Sequence, residues 1–126
     1  MKMNREQFKK IIDAYYAHSP PTKFVLAVDF DHTLCDSSYP LCGDETPIAA
    51  FIRSVQDMDI IIIITTCREG YAAELAKKWL EEHGIHWDYF NENDPARIEL
   101  YKDCRKIYCD ILIDDTAYCF NMNDFK

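Results

Sequence analysis

Three short apolar runs constrain the fold of this chain more than any other feature. They cover residues 24–28, 60–64 and 111–113, and the last two consist almost entirely of isoleucine. Runs of this length without polar alternation indicate strands that are buried on both faces. Such strands are usually parallel, with helices as the connections between them. We therefore predict an α/β fold: a single doubly wound, Rossmann-like domain in three layers around a mainly parallel sheet.

Apolar residues at helical spacing predict the helices around this sheet. A first helix over 4–18 begins with a capping box of Asn4 and Gln7. A second opens at Thr46-Pro47, a third covers 69–83 with Gly84 at its C-terminus, and a fourth runs from Pro95 to about residue 103. Short strands are predicted over 87–90 and 107–113. The loop over 34–45 is the one candidate for a cap.

The first helix carries an apolar stripe that we expect to pack on the sheet. The stripe is also compatible with a homodimer contact. Its members are Phe8, Ile11, Ile12, Tyr15 and Tyr16.

Length and composition limit the class of protein. The 126 residues suffice for one domain, which we divide into an N-terminal helix (1–20), a motif-bearing core (24–115) and a short tail (116–126). Acidic residues outnumber basic ones by 22 to 14 without a basic cluster, so we find no strong nucleic-acid signal. Residues 1–10 do not resemble a secretion signal, and the apolar runs fall far short of the ~20 residues of a membrane span. We expect a cytoplasmic protein without a membrane partner, with its six cysteines reduced.

Polar residues follow each apolar run where the predicted strand ends. Asp29 and Asp31 follow the first run and Asp114-Asp115 follow the last. In a parallel sheet these ends share one edge, where ligands bind. Neighbouring carboxylates repel one another unless a cation or a shared proton intervenes, so the pattern predicts a hard metal ion or divided acid and base roles.

In order along the chain, these motifs resemble those of the haloacid dehalogenase-like phosphohydrolase superfamily. The matching elements are Asp29-x-Asp31-x-Thr33, Thr66 after the isoleucine strand, Lys106, and Asp114-Asp115. The resemblance covers about residues 24–115 and is greatest to small, minimally capped members. It implies a magnesium-dependent phosphatase that acts through an aspartyl-phosphate.

The resemblance also implies a role for each motif residue. Asp29 is the nucleophile, and Asp31 is the general acid and base, with its backbone carbonyl on the metal. Mg²⁺ is held by Asp29, that carbonyl and Asp114, with Asp115 as a further ligand or an outer partner. Thr66 and Lys106 hold the phosphoryl oxygens.

Several assignments keep an alternative from the residues themselves. Thr65 could take the place of Thr66, and Lys102 the place of Lys106. Arg68 and His32 are candidate substrate-binding residues, although solvation of the first and local packing of the second explain them as well. The same holds for two asparagines after the short strand, which serve a turn or touch substrate: Asn91 and Asn93.

The substrate is expected to be a phosphorylated small molecule or polymer. Two other functions use similar residues: a phospho-acceptor signalling module, and a catalytically silent binding domain with the same fold. The signalling module has a different order of elements. The silent domain is disfavoured because every catalytic residue type of the resembled superfamily is present.

Overall fold

A four-stranded parallel sheet lies at the centre of the molecule. The computed structural model describes residues 3–102 and 106–115. In chain order the elements are α1 (Arg5–Tyr16), β1 (Phe24–Asp29), β2 (Cys35–Ser38), β3 (Leu41–Glu45), α2 (Pro47–Val55), β4 (Ile60–Thr65), α3 (Gly70–Glu82), β5 (Tyr89–Phe90), α4 (Pro95–Tyr101) and β6 (Ile111–Ile113). This confirms the predicted α/β fold with a parallel sheet, consistent with a Rossmann-like arrangement.

The order of the strands creates a crevice at one point of the sheet edge. The strands lie side by side as β5-β4-β1-β6. From β1 the chain proceeds to β4 and β5, and it then returns to the other side of β1 to form β6. At such a reversal the connections leave in opposite directions, which opens a ligand crevice beyond the carboxyl ends of the strands. Val28 pairs with Ile113, so Asp29 and Asp114 both emerge at this crevice.

Alternating side chains of the strands build two apolar clusters on opposite faces of the sheet. Phe24, Leu26 and Val28 point to the larger one, which includes buried residues of α1, α2 and α3. Val25 and Ala27 point to the smaller one, where Ile63 is also buried. Burial on both faces fixes β1 and its pairing register, and with it the position of Asp29.

Helix α1 packs on the sheet as its apolar stripe predicts. Phe8 and Ile12 are buried, and the Phe8 ring meets Phe24 edge-on with 5.8 Å between centroids. The capping box is also confirmed: Asn4 accepts from the backbone of Gln7 at 2.9 Å, and the Gln7 side chain accepts from the Asn4 backbone at 3.2 Å. The alternative of a homodimer contact through the stripe stays a prediction.

The predicted loop over 34–45 is instead an antiparallel hairpin of β2 and β3, separate from the main sheet. Glycine is required in β3, because a Cβ at Gly43 would lie 2.0 Å from the Asp36 carbonyl oxygen. Trp79 of α3 donates its ring N–H to the Gly43 carbonyl at 2.8 Å, which fastens the hairpin to the core. The candidate cap therefore has a defined structure and a fixed attachment.

The remaining boundaries differ modestly from the predictions. The last strand is shorter than residues 107–113 and begins at Ile111. Directly before it, the side chain of Asp110 accepts from the Val25 backbone N–H at 2.8 Å, in place of a backbone carbonyl. Residues 103–105, which include the predicted end of α4, and the tail over 116–126 lie outside the described residues. In the described ranges, none of the helices has the length and apolar composition that crossing a membrane requires.

Candidate active site

Three carboxylates converge at the crevice between β1 and β6. Asp29, Asp114 and Asp115 each offer one oxygen, and these oxygens all lie within 4.8 Å of one another. Mg²⁺ binds oxygen ligands at about 2.1 Å, so two oxygens on one ion lie within about 4.2 Å of each other. Small side-chain rotations, which move each oxygen by a few tenths of an ångström, are enough to bring the three oxygens within this distance. The donor set therefore fits a small, hard cation.

The Asp29 carboxylate is half-buried beside other negative charges. Burial and the charge of Asp114 raise its pKa from 3.8 to about 6, although a hydrogen bond from the Thr33 hydroxyl opposes the rise. That hydroxyl donates to Asp29 Oδ2 at 3.2 Å. Because the folded-state pKa lies above the unfolded value, Asp29 stabilises the metal-free fold below about pH 4, and this contribution is lost as the pH rises through 6.

Several backbone N–H groups of the loop after β1 donate to a single carbonyl group. The Phe30 carbonyl accepts from the backbone N–H groups of Thr33, Leu34 and Cys35 at 3.0 to 3.3 Å. His32 adopts a left-handed conformation with φ of 62° to complete the turn. The turn places the Thr33 hydroxyl against Asp29 and starts β2 at once, so the hairpin lies next to the acidic cluster.

Asp31 stands outside the three-acid cluster and is held by Arg68. The Arg68 Nε–H lies 3.1 and 3.0 Å from the two Asp31 oxygens, and Nη2 lies 2.8 Å from Oδ1. Partial burial alone would raise the pKa of Asp31, but the hydrogen bonds and the charge of Arg68 outweigh it and hold this pKa below its usual value. The carboxylate remains about one-quarter exposed, at 26%.

The two predicted substrate-binding residues face neighbouring protein groups in this structure. The Arg68 side chain is fully buried, with 0% exposure, so its guanidinium does not reach an open surface. The His32 side chain is exposed, and its Nδ1 lies 3.5 Å from a carboxylate oxygen of Asp36 on the hairpin. Contact of either residue with a substrate stays a prediction.

Two asparagines after β5 hold the predicted phosphate-binding residues in place. The Asn91 side chain accepts from the Thr66 backbone N–H at 2.8 Å and donates to the Thr66 carbonyl at 2.6 Å. The buried Asn93 donates to the Lys106 carbonyl at 3.0 Å and accepts from the Tyr108 backbone at 2.6 Å. Each amide therefore fixes one loop at the sheet edge. The sequence motif Asn-x-Asn after a short strand was the available signal, but its partners could not be read from it.

The alternatives for these residues also take defined positions. Thr65 ends β4 opposite Asp29, whereas the Thr66 hydroxyl accepts from the Arg68 backbone at 3.1 Å and keeps its own hydrogen to donate. Lys106 is exposed, and Lys102 follows α4 with a positive φ of 67°. The choice within each pair stays a prediction.

Comparison with known proteins gives one informative match. No family model matches the sequence, and no curated protein matches it. A solved structure of a conserved protein from Bacteroides thetaiotaomicron is similar to this chain with a TM-score of 0.66 and 29% sequence identity. The match covers 78% of this chain and 80% of the other. It supports the α/β architecture described above.

Proposed function

We propose that this protein is a magnesium-dependent phosphomonoester hydrolase of the haloacid dehalogenase-like type, with the three-layer core and small cap of such enzymes. One observation carries the proposal. The oxygens of Asp29, Asp114 and Asp115 converge within 4.8 Å at the reversal point of a parallel sheet, and Asp31 stands two residues beyond the first of them. The Thr66 hydroxyl and the Lys106 ammonium group are proposed to complete a site for a phosphoryl group.

The acidic cluster is proposed to hold the metal. Asp29, Asp114 and the Asp31 backbone carbonyl supply oxygen ligands, and Asp115 ligates directly or through water. Bound Mg²⁺ would neutralise negative charge on the phosphoryl oxygens and let a dianionic substrate approach three carboxylates. This role explains why an acidic site accepts an anion. It would also oppose the effects of burial and of the Asp114 charge, which together raise the pKa of Asp29.

The reaction proceeds in two displacements. An Asp29 oxygen attacks phosphorus, the bond from phosphorus to the leaving oxygen breaks, and Asp31 donates a proton to that oxygen to release the alcohol. Asp31 has to take up this proton before the step, because Arg68 holds the pKa of Asp31 below its usual value. Water then attacks phosphorus of the aspartyl-phosphate while Asp31 takes a proton from it. The bond between phosphorus and Asp29 breaks, which yields inorganic phosphate and restores both carboxyl groups. Thr66 and Lys106 stabilise the charge spread over the phosphoryl oxygens.

The hairpin of β2 and β3 is proposed to act as a small cap beside this site. It carries exposed apolar side chains, with Tyr39 at 66% and Leu41 at 62% exposure. A cap of this size encloses little of a substrate. We therefore propose weak discrimination among small phosphates, with a phosphorylated polymer or a second copy of the chain as the means of covering the site.

Metal removal tests the proposed function. Phosphate release from an aryl phosphate is expected to fall at least about a hundredfold when the protein is treated with a chelator, and to return on addition of Mg²⁺. Release is measured as inorganic phosphate over time. Full activity after complete metal removal would refute the mechanism. A long-lived phospho-aspartate without turnover would indicate a signalling module. If neither phosphate release nor a phospho-aspartate is detected, the protein is a catalytically silent domain.

Magnesium affinity is also expected to depend on pH through Asp29. A proton and the cation compete for the same carboxylate, and the pKa of Asp29 in the metal-free protein is about 6. Affinity should therefore be constant above about pH 7 and fall as the pH is lowered through 6, approaching roughly tenfold per pH unit well below it. Titration calorimetry in two buffers of different ionisation enthalpy detects the proton released. Equal affinity at pH 7 and pH 5 would contradict this expectation.

A further inference from the structure

Arg68 is the most completely engaged buried charge among the described residues. Its Nε–H and one Nη2–H bond to the Asp31 carboxylate, and the second Nη2–H points to the Leu41 carbonyl at 3.4 Å. The two Nη1–H groups donate to the Pro40 carbonyl at 2.7 Å and the Ala72 carbonyl at 3.1 Å. All five donors of the guanidinium thus have acceptors within the protein.

Two aromatic rings flank the same guanidinium. Its central carbon lies 5.1 Å from the centroid of the buried Phe30 ring and 5.1 Å from that of the exposed Tyr39 ring. A planar, delocalised cation packs against aromatic rings and reaches several acceptors at fixed angles, whereas a lysine ammonium is a compact point charge with three donors. The surroundings therefore select arginine, and they prevent the guanidinium from turning away from Asp31.

These contacts join three segments at one point. Asp31 belongs to the loop after β1, Pro40 and Leu41 form the tip of the hairpin, and Ala72 lies in the first turn of α3. A single side chain therefore links the proposed acid and base to both structures that border the site. Because its donors are all used within the protein, the role of Arg68 runs through Asp31 and not through the phosphoryl group.

We propose that Arg68 is a positioning residue: it fixes the orientation of the Asp31 carboxylate for proton transfer and couples that orientation to the seating of the hairpin. The inference rests on the proposed function and adds a residue to it. The step that depends on it most is hydrolysis of the aspartyl-phosphate, where Asp31 takes a proton from the attacking water. Misplacement of a catalytic group by about 1 Å costs about a hundredfold in rate.

A double-mutant cycle tests the proposal. Arg68→Lys keeps the charge but loses the geometry, and it should lower kcat for an aryl phosphate by roughly 10 to 100-fold. KM should fall in parallel, because slow hydrolysis of the phosphoenzyme lowers both constants. In an Asp31→Asn background the same substitution should change kcat by less than about twofold, since the group it positions is already lost. Phospho-Asp29, trapped by acid quench, should accumulate in Arg68→Lys because its hydrolysis is the impaired step.

Arg97→Lys is the matched control. Arg97 is also buried and also paired with an aspartate, Asp110, at 2.6 Å, but it lies at the opposite end of the strands. The Arg97→Lys variant should be less stable than the unmodified protein but should not accumulate phospho-Asp29. Any loss of activity that it causes should also be seen in the Asp31→Asn background.

A loss from Arg68→Lys that is equally large with Asp31→Asn, or no loss at all, would overturn the positioning role. If Arg68→Lys fails to fold, Arg68→Met combined with Asp31→Asn removes both charges together. Its activity per folded molecule should equal that of Asp31→Asn alone, and a further loss would overturn the proposal. Absence of metal-dependent phosphate release from the unmodified protein would instead refute the proposed function itself.

Discussion

Asp29→Asn is expected to lower phosphatase turnover by at least about a thousandfold while the fold is retained. The carboxylate is proposed to form a bond to phosphorus. Because an amide oxygen is a far weaker nucleophile, the variant should not form the covalent intermediate. Phosphate release measures turnover, and acid-quench trapping measures formation of the phosphoenzyme. No phosphoenzyme should form.

Thermal unfolding separates loss of chemistry from loss of structure in this variant. Because burial and Asp114 disfavour the charge on Asp29, the neutral amide should make the metal-free protein more stable at pH 8 and change it little at pH 4. Asp59→Asn serves as the control, since Asp59 directly precedes β4 at the opposite edge of the sheet and pairs with Lys23 at 3.1 Å. Turnover comparable to the unmodified protein, or a phosphoenzyme on another residue, would disprove the role of Asp29.

Asp31→Asn is expected to lower turnover by roughly 10² to 10⁴-fold, the range that general acid and base catalysis supplies. Magnesium affinity should stay within about threefold, because the Asp31 side chain is not among the three converging carboxylates and faces Arg68. Calorimetric titration with Mg²⁺ and steady-state kinetics on the same preparation test both statements.

A carboxylate on the hairpin provides the comparison for Asp31. Asp36 lies five residues on and is 79% exposed, so Asp36→Asn removes one negative charge close to the site without touching Arg68. Its turnover should stay within about threefold of the unmodified protein. Should Asp31→Asn lose magnesium binding and keep its rate at saturating metal, the assignment of Asp31 as acid and base would be wrong.

The sequence predicted the parallel sheet and the convergence of acidic residues at one edge of it because those signals are local. The run of isoleucines in β4 and the apolar β1 are recognisable without their partners, and the acids follow them directly. The hairpin was missed because Cys35–Ser38 contains no β-branched or aromatic residue. Its pairing depends on β3 and on Trp79, which donates to it from α3. Local pattern therefore determined the core strands but not the cap.

The supporting contacts of the site were also beyond sequence analysis, since they join distant residues. Arg68 bonds to Asp31 across 37 positions, and Asn91 bonds to Thr66 across 25. A charged residue near a helix start is normally solvated, so nothing local indicates that this arginine is buried. The residues proposed to carry the chemistry were visible as a motif, whereas the residues that contact them appear only once the chain is folded.

The shortness of the outer strands has a consequence for behaviour at high concentration. Among the described residues the sheet ends in β5, with two residues, and β6, with three, whereas the isoleucine-rich β4 lies between two partners. Short edge strands offer few unpaired backbone groups to another molecule, so the native protein is protected against edge-to-edge association. That protection is lost on unfolding, when an apolar segment of high β-propensity becomes free to form intermolecular sheets. Asp57 and Asp59 stand directly before that segment, as charges that oppose such stacking.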